Sequence, residues 1–143
     1  MIVSQHLYEA HQLTGLRVLG EVLRGLRRTP DGRVAWVEVP RQLVLRAGPD
    51  IIDEIVNYPR AIRGVEVAAA LREMPQPGAV RVSLRSKGQV DVDRIARAFN
   101  GGGHMAASGC TVPGTLTTAR ARLLAEIRKH LPCNGRPQRT PGR

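Results

Sequence analysis

Along residues 80–85, VRVSLR, apolar and polar positions alternate without exception: Val80, Val82 and Leu84 fall on one side, Arg81, Ser83 and Arg85 on the other. A period of two predicts a strand with one buried face, because successive side chains point to opposite sides of a sheet. The run before it, IRGVEVAAALREM, is apolar through its middle and separated from this strand by PQPG, which predicts a neighbouring strand joined by a tight loop. Upstream, residues 4–28 carry Leu7, Ala10, Val18, Leu19, Val22, Leu23 and Leu26 at helical spacing, with Ser4 as N-cap and Gly15 as a dividing point. Turn chemistry at Pro30, Asp31 and Gly32 leads into a β-rich run over 33–39 that Pro40 ends. Residues 41–57 read as helical, broken at Gly48 and Pro49, where Asp50 caps a short second helix containing Ile51, Ile52, Ile55 and Val56, and Pro59 closes the region. In DVDRIARAFN, Val92, Ile95, Ala96 and Phe99 share a helical face, and Asn100 stands where a left-handed cap belongs. A strand near 109–112 and a helix over 115–131 complete the pattern.

These elements predict an α/β fold: a mixed β-sheet of about four strands with flanking helices, preceded by a linker helix. Residues 1–29 form the interdomain linker region, 30–131 one domain, and 132–143, rich in Pro, Gly and Arg with nothing to bury, a disordered basic tail. A chain of 143 residues, 42% of them hydrophobic, suits a single core.

Charge narrows the partners. Twenty-two Lys and Arg against 12 Asp and Glu give a formal net charge of +10, which favours polyanions. Only Lys87 and Lys129 are lysines, so almost all of this charge sits on guanidinium forks suited to bidentate phosphate contacts. Cys110 and Cys133 match no metal-ligand spacing and suggest no disulfide framework. His6, Glu9, His11 and Arg17 interrupt any signal-peptide core, and no apolar run is long enough to span a bilayer, so a cytoplasmic protein without membrane contact is expected.

The stretch AFNGGGHMAASG then asks for an explanation, since three consecutive glycines are costly to order. One reading lets the glycine N–H groups point into a concavity, with His104 to Ala107 beginning a helical turn whose positive end faces the same place, an anion site. The other is a helix C-cap and tight turn with His104 as a satisfied polar residue. The stretch alone leaves both open.

Taken together, VSLRSKGQVDVDRIARAFNGGGHMAASG resembles the C-terminal DHH-associated domain, type 1, of DHH-superfamily phosphoesterases, and within them the nanoRNase and oligoribonuclease branch that also hydrolyses phosphoadenosine phosphate. The resemblance rests on Ser83, Arg85 and Ser86, on the aspartate-led helix from Asp91 to Phe99, and on Gly101 to His104 followed by Ala106, Ala107 and Gly109; Glu54 to Ala68 and Leu7 to Val39 extend it. Ser108 replaces the family's usual alanine, and Asn100 an often present fourth glycine. The resemblance implies a substrate-binding domain in which Arg85 grips a phosphate, Ser83 and Ser86 assist, and Gly101, Gly102, Gly103 and His104 line the pocket. It also implies that an N-terminal DHH catalytic domain, holding manganese, performs the hydrolysis.

No metal centre is expected within this chain. A two-metal site needs several Asp and His side chains converging on ions about 4 Å apart, and the DHH motif is missing. Asp91 and Asp93 read as cap and first-turn acid of one helix, Asp53 and Glu54 as a solvated face, and His6, His11 and His130 as helix-surface or packing residues. The chain is therefore expected to be a detached C-terminal portion, inactive alone, whose partner domain acts on short RNA, phosphoadenosine phosphate or a cyclic dinucleotide. Two alternatives stand beside it. A stand-alone nucleic-acid-binding module would use net charge along longer strands, although aromatics for base stacking are only 3% of the chain. A homodimer built on the 4–28 helix would leave the phosphate site vestigial.

Overall fold

The computed structural model describes residues 2–133, with side chains from Leu13 onward. Six strands form one mixed sheet in the order β1-β2-β3-β4-β6-β5. They are β1 (Arg27–Arg28), β2 (Val34–Val39), β3 (Val67–Glu73), β4 (Ala79–Ser86), β5 (Gly102–His104) and β6 (Ala107–Pro113). Only β2 and β3 run parallel, so the chain between them must cross over, and it does so through three short helices, α2 (Arg41–Ala47), α3 (Pro49–Glu54) and α4 (Asn57–Arg60). The long helix α1 (Ile2–Arg24) precedes the sheet, α5 (Val92–Arg97) follows β4, and α6 (Leu116–His130) closes the fold.

Two hydrophobic cores lie on opposite faces of the sheet. On one face, Trp36, Ala69, Leu71, Val80, Val82, Leu84, Cys110 and Val112 pack against Ile95 and Ala96 of α5 and Ala119, Leu123 and Ile127 of α6. On the other, Ala35, Val37, Val39, Ala68 and Ala70 pack against Val18, Leu19 and Val22 of α1 and Ala47, Ile52, Ile55 and Val56 of the crossover. β2 and β3 are covered on both sides, which is why their sequences read as continuous apolar runs. β4 is not: its burial alternates residue by residue, with Val80, Val82, Leu84 and Ser86 buried and Ala79, Arg81, Ser83 and Arg85 half-buried.

The sheet has two strands more than the sequence pattern suggests. β1 occupies residues assigned to the end of the first helix; Arg27 and Arg28 pair with Trp36 and Ala35. β5 takes two of the three glycines. Gly15 does not divide α1, which is continuous. A Cβ there would lie 2.6 Å from Ile51 Cγ1, so the glycine marks close approach of α3 rather than a break. The helix begins at Ile2, which places Ser4 inside it instead of at its cap. Gly48, not Asp50, is the N-cap of α3, with Asp50 in its first turn, and Pro59 lies inside α4. The capping of α5 follows the sequence: Asp91 Oδ1 accepts from Asp93 N at 3.0 Å, and Asn100 has a left-handed φ of 63°. Residues 134–143 of the basic tail lie outside the described residues; just before them, Pro132 O accepts from Arg33 Nη2 at 2.7 Å.

Candidate functional site

The uncovered half of the sheet face shared by β4, β6 and β5 carries the candidate site. Antiparallel register fixes which side chains meet there. Arg85 stands opposite Ala107, and Ala107 opposite His104; in the next row Ser83 stands opposite Gly109, and Gly109 opposite Gly102. Directly paired residues point to the same side, so Arg85 and His104 rise from one face with only an alanine between them. Their strands are two spacings apart, about 10 Å. Two long polar side chains at that separation can converge on a group of phosphate size above a floor of Ala107, Gly109 and Gly102.

Among the described residues, no carboxylate neutralises the groups of this face that could grip an anion. Among the described residues, Arg85 makes no ion pair; its Nη1 donates to Leu84 O at 2.9 Å. The Ser83 hydroxyl is half-buried and the His104 ring exposed, and neither forms a side-chain hydrogen bond among the described residues. Arg60 and Lys87, at the end of β4, donate only to backbone carbonyls, Ser86 O at 3.2 Å and Ile62 O at 3.0 Å. By contrast Arg33, Arg41, Arg97 and Arg120 are each held by a carboxylate.

The glycine loop is a hairpin, and this corrects the expected helical turn at His104 to Ala107. β5 turns at Met105 and Ala106 into β6, and the tip is fixed by Val92 N donating to Met105 O at 2.9 Å and Ser86 N donating to Ala106 O at 3.0 Å. Nor do the glycine amides form an open cradle. Gly101 N donates to Ala96 O at 2.9 Å, and Gly103 N donates to Asp93 Oδ1 at 2.8 Å. The Gly101 and Gly103 amides are thus engaged within the protein, and the polar groups presented on the Arg85 face are side chains. The glycines serve close approach instead: a Cβ on Gly101 would overlap the Gly109 carbonyl oxygen and fall 2.8 Å from Cys110 Cα.

The remaining sequence-identified residues separate from this cluster. Ser86 is on the opposite face, buried, with its Oγ donating to Val90 O at 2.7 Å and accepting from Gly88 N at 3.3 Å. It shapes the turn after β4. Gly103 pairs with Ser108 in the row that faces away from Arg85. Asp93 contributes more than its place in the first turn of α5 suggests, since it clamps both the glycine loop and Arg97 Nε, the latter at 2.8 Å. The Arg97 guanidinium, then the Gly103 N–H, hold its carboxyl below the usual range. No local signal in the sequence joins Asp93 to a backbone amide ten residues on.

The described residues bring no three His, Cys, Asp or Glu side chains together, so they do not fit a metal centre. Asp91 and Asp93 are engaged as described, and His130 Nε2 lies 3.1 Å from Glu126 Oε2. A separate cavity of about 440 Å³ lies between Thr29, Asp31, Arg33, Arg128 and Leu131, away from the glycine loop. No helix among the described residues is long and apolar enough to cross a membrane.

Comparison with known proteins identifies the family. Residues 41–131 match the DHHA1 domain family. The chain is 31% identical over 116 residues to the bifunctional oligoribonuclease and PAP phosphatase NrnA of Thermus thermophilus, covering 80% of this chain but 34% of that protein. It thus spans about a third of the length of that relative. Among solved structures, an exopolyphosphatase-related protein from Bacteroides fragilis superposes with a TM-score of 0.74 at 29% identity, over 81% of this chain and 34% of the other. A pGpG-specific phosphodiesterase from Vibrio cholerae shares the fold alone, with a TM-score of 0.58 at 15% identity over 87% of this chain and 40% of that one. A match running from α2 through α6, and so including every residue of the Arg85 and His104 face, establishes that the chain belongs to the DHHA1 domain family.

Proposed function

We propose that this chain is the substrate-binding portion of a cytoplasmic DHH-family phosphoesterase, and that it grips the phosphates of short oligoribonucleotides, phosphoadenosine phosphate or cyclic dinucleotides. The observation that carries the reading is the placement of Arg85 and His104 on one open sheet face, beside the Ser83 hydroxyl, with no carboxylate among the described residues paired to any of them. In this reading the Arg85 fork takes two phosphate oxygens, a His104 ring N–H donates to a third, and Ser83 adds a hydroxyl from the floor. Each charge-assisted hydrogen bond is worth about 1.5 to 3 kcal/mol. Manganese and the hydrolytic step belong to an N-terminal DHH domain, and the residues described here only bind and orient.

The family assignment and the names of similar proteins support this reading over a general nucleic-acid-binding module. So does the scarcity of exposed aromatic surface: among the described residues only Tyr58 is an exposed aromatic, while Trp36 is buried and Phe99 packs against the core. Calorimetric titration with a 5′-phosphorylated diadenylate, in parallel with Arg85→Ala and His104→Ala and without metal, tests it. The expected result is binding with a slope of log affinity against log salt of about −0.7, for one phosphate, weakened about tenfold or more in both variants. Binding indifferent to both substitutions would overturn it. A much steeper slope growing with strand length would favour the general module.

A further inference from the structure

Two arginines are directly paired across adjacent strands at the far end of the same face. Arg72 of β3 is the cross-strand partner of Arg81 of β4. Both are half-buried, and neither has a carboxylate within ion-pair distance among the described residues. Arg81 reaches sideways: a Cβ on Gly109 would lie 2.8 Å from its Nη2, and its Nη1 donates weakly to Thr111 Oγ1 at 3.4 Å. Arg72 makes no side-chain hydrogen bond among the described residues. Like charges directly opposite on adjacent strands destabilise a sheet, and the protein's acids are placed elsewhere; Glu73, the neighbour of Arg72, pairs with Arg41.

An anion from outside would neutralise such a pair. Arg81 lies two residues from Ser83 and four from Arg85 along one strand, so its Cα is about 13 Å from that of Arg85. All three share a face, and the floor between them is Ser83 and Gly109. An extended phosphodiester chain held at Arg85 and His104 would run along β4 over this floor and meet Arg81 and Arg72 with a later phosphate.

We propose that Arg72 and Arg81 form a second phosphate subsite, which lets the chain hold oligonucleotides longer than a dinucleotide in one defined direction along β4. This extends the reading of the Arg85 face and rests on it. The test compares a 5′-phosphorylated diadenylate with the corresponding tetra-adenylate by fluorescence anisotropy, in wild type, Arg81→Gln and Arg72→Gln. Wild type should bind the tetranucleotide about tenfold or more tighter than the dinucleotide, as expected for an added charge-assisted contact. Its salt slope should be steeper by about 0.7. Each variant should remove both differences and leave dinucleotide affinity within about twofold. Folding is controlled by melting at low salt, where relief of the repulsion should leave Arg81→Gln at least as stable as wild type. Equal affinity for the two oligonucleotides, or a gain that survives both substitutions, overturns the subsite while the Arg85 reading stands. Failure of wild type to bind the dinucleotide at all overturns the Arg85 reading and this inference together.

Discussion

Replacing Gly101 by alanine separates the two explanations of the glycine run. The added Cβ would overlap the Gly109 carbonyl oxygen and lie 2.6 Å from Cys110 Cβ and 2.8 Å from its Cα. None of these atoms can yield cheaply. Gly109 and Cys110 are in β6, hydrogen-bonded between β4 and β5, and Cys110 is fully buried in the core against α5 and α6. Nor can Gly101 retreat easily, because its N–H is engaged by Ala96 O at 2.9 Å. Overpacking of this kind costs about 1 to 3 kcal/mol, and for a domain of this size 1 kcal/mol corresponds to about 3 to 4 °C in Tm. A fall of about 3 to 12 °C is therefore expected, followed by far-ultraviolet circular dichroism. Gly20→Ala is the control: it sits within α1 with no heavy atom within 4 Å of an added Cβ, and should gain about 0.5 to 1 kcal/mol from helix propensity. A Gly101→Ala protein that melts with wild type would refute the close-approach argument and return the glycines to a purely ligand-facing role.

Two further outcomes follow from the same contacts. Ser86→Ala should lower the Tm by about 3 to 4 °C, since it leaves Val90 O and Gly88 N without their buried partner at a cost of about 1 kcal/mol, whereas Ser83→Ala should leave the Tm unchanged and weaken nucleotide binding; the reverse pattern would contradict the assignment of the two faces. Acid should also destabilise the fold through Asp93 and Glu126. Both carboxyls are held below their ordinary values, Asp93 first by the Arg97 guanidinium and Glu126 first by His130, so their contribution is present above the ordinary carboxylate pKa and lost as pH falls through their lowered folded values. The urea midpoint should thus fall between pH 6 and pH 3, less so in Asp93→Asn, and an unchanged pH dependence in that variant would exclude Asp93 from the effect.

Much of this was legible because it is written in local period. The alternation in β4 placed Arg81, Ser83 and Arg85 on one face, and the caps at Asp91 and Asn100 follow from residue type. What escaped is set by distant partners. Two arginines have no strand pattern of their own, and Arg27 and Arg28 become β1 only because β2 offers its edge. Gly102 to His104 carry no β propensity and become β5 because β6 lies beside them and Asp93 anchors Gly103 N. Ser86 looked equivalent to Ser83, yet the odd spacing between them sends its hydroxyl to the other side. The pairing of Arg72 with Arg81 required the register of β3 on β4, which no single segment encodes.

The central claim is that Arg85 and His104 hold one and the same phosphate. A double-mutant cycle on diadenylate binding, with Arg85→Ala, His104→Ala and the combined variant, tests it most directly. Groups sharing a ligand atom cluster should be non-additive, with a coupling of about 0.5 kcal/mol or more and a double variant little worse than either single one. Strictly additive losses would mean that the two side chains, although neighbours on the sheet, serve different parts of the molecule.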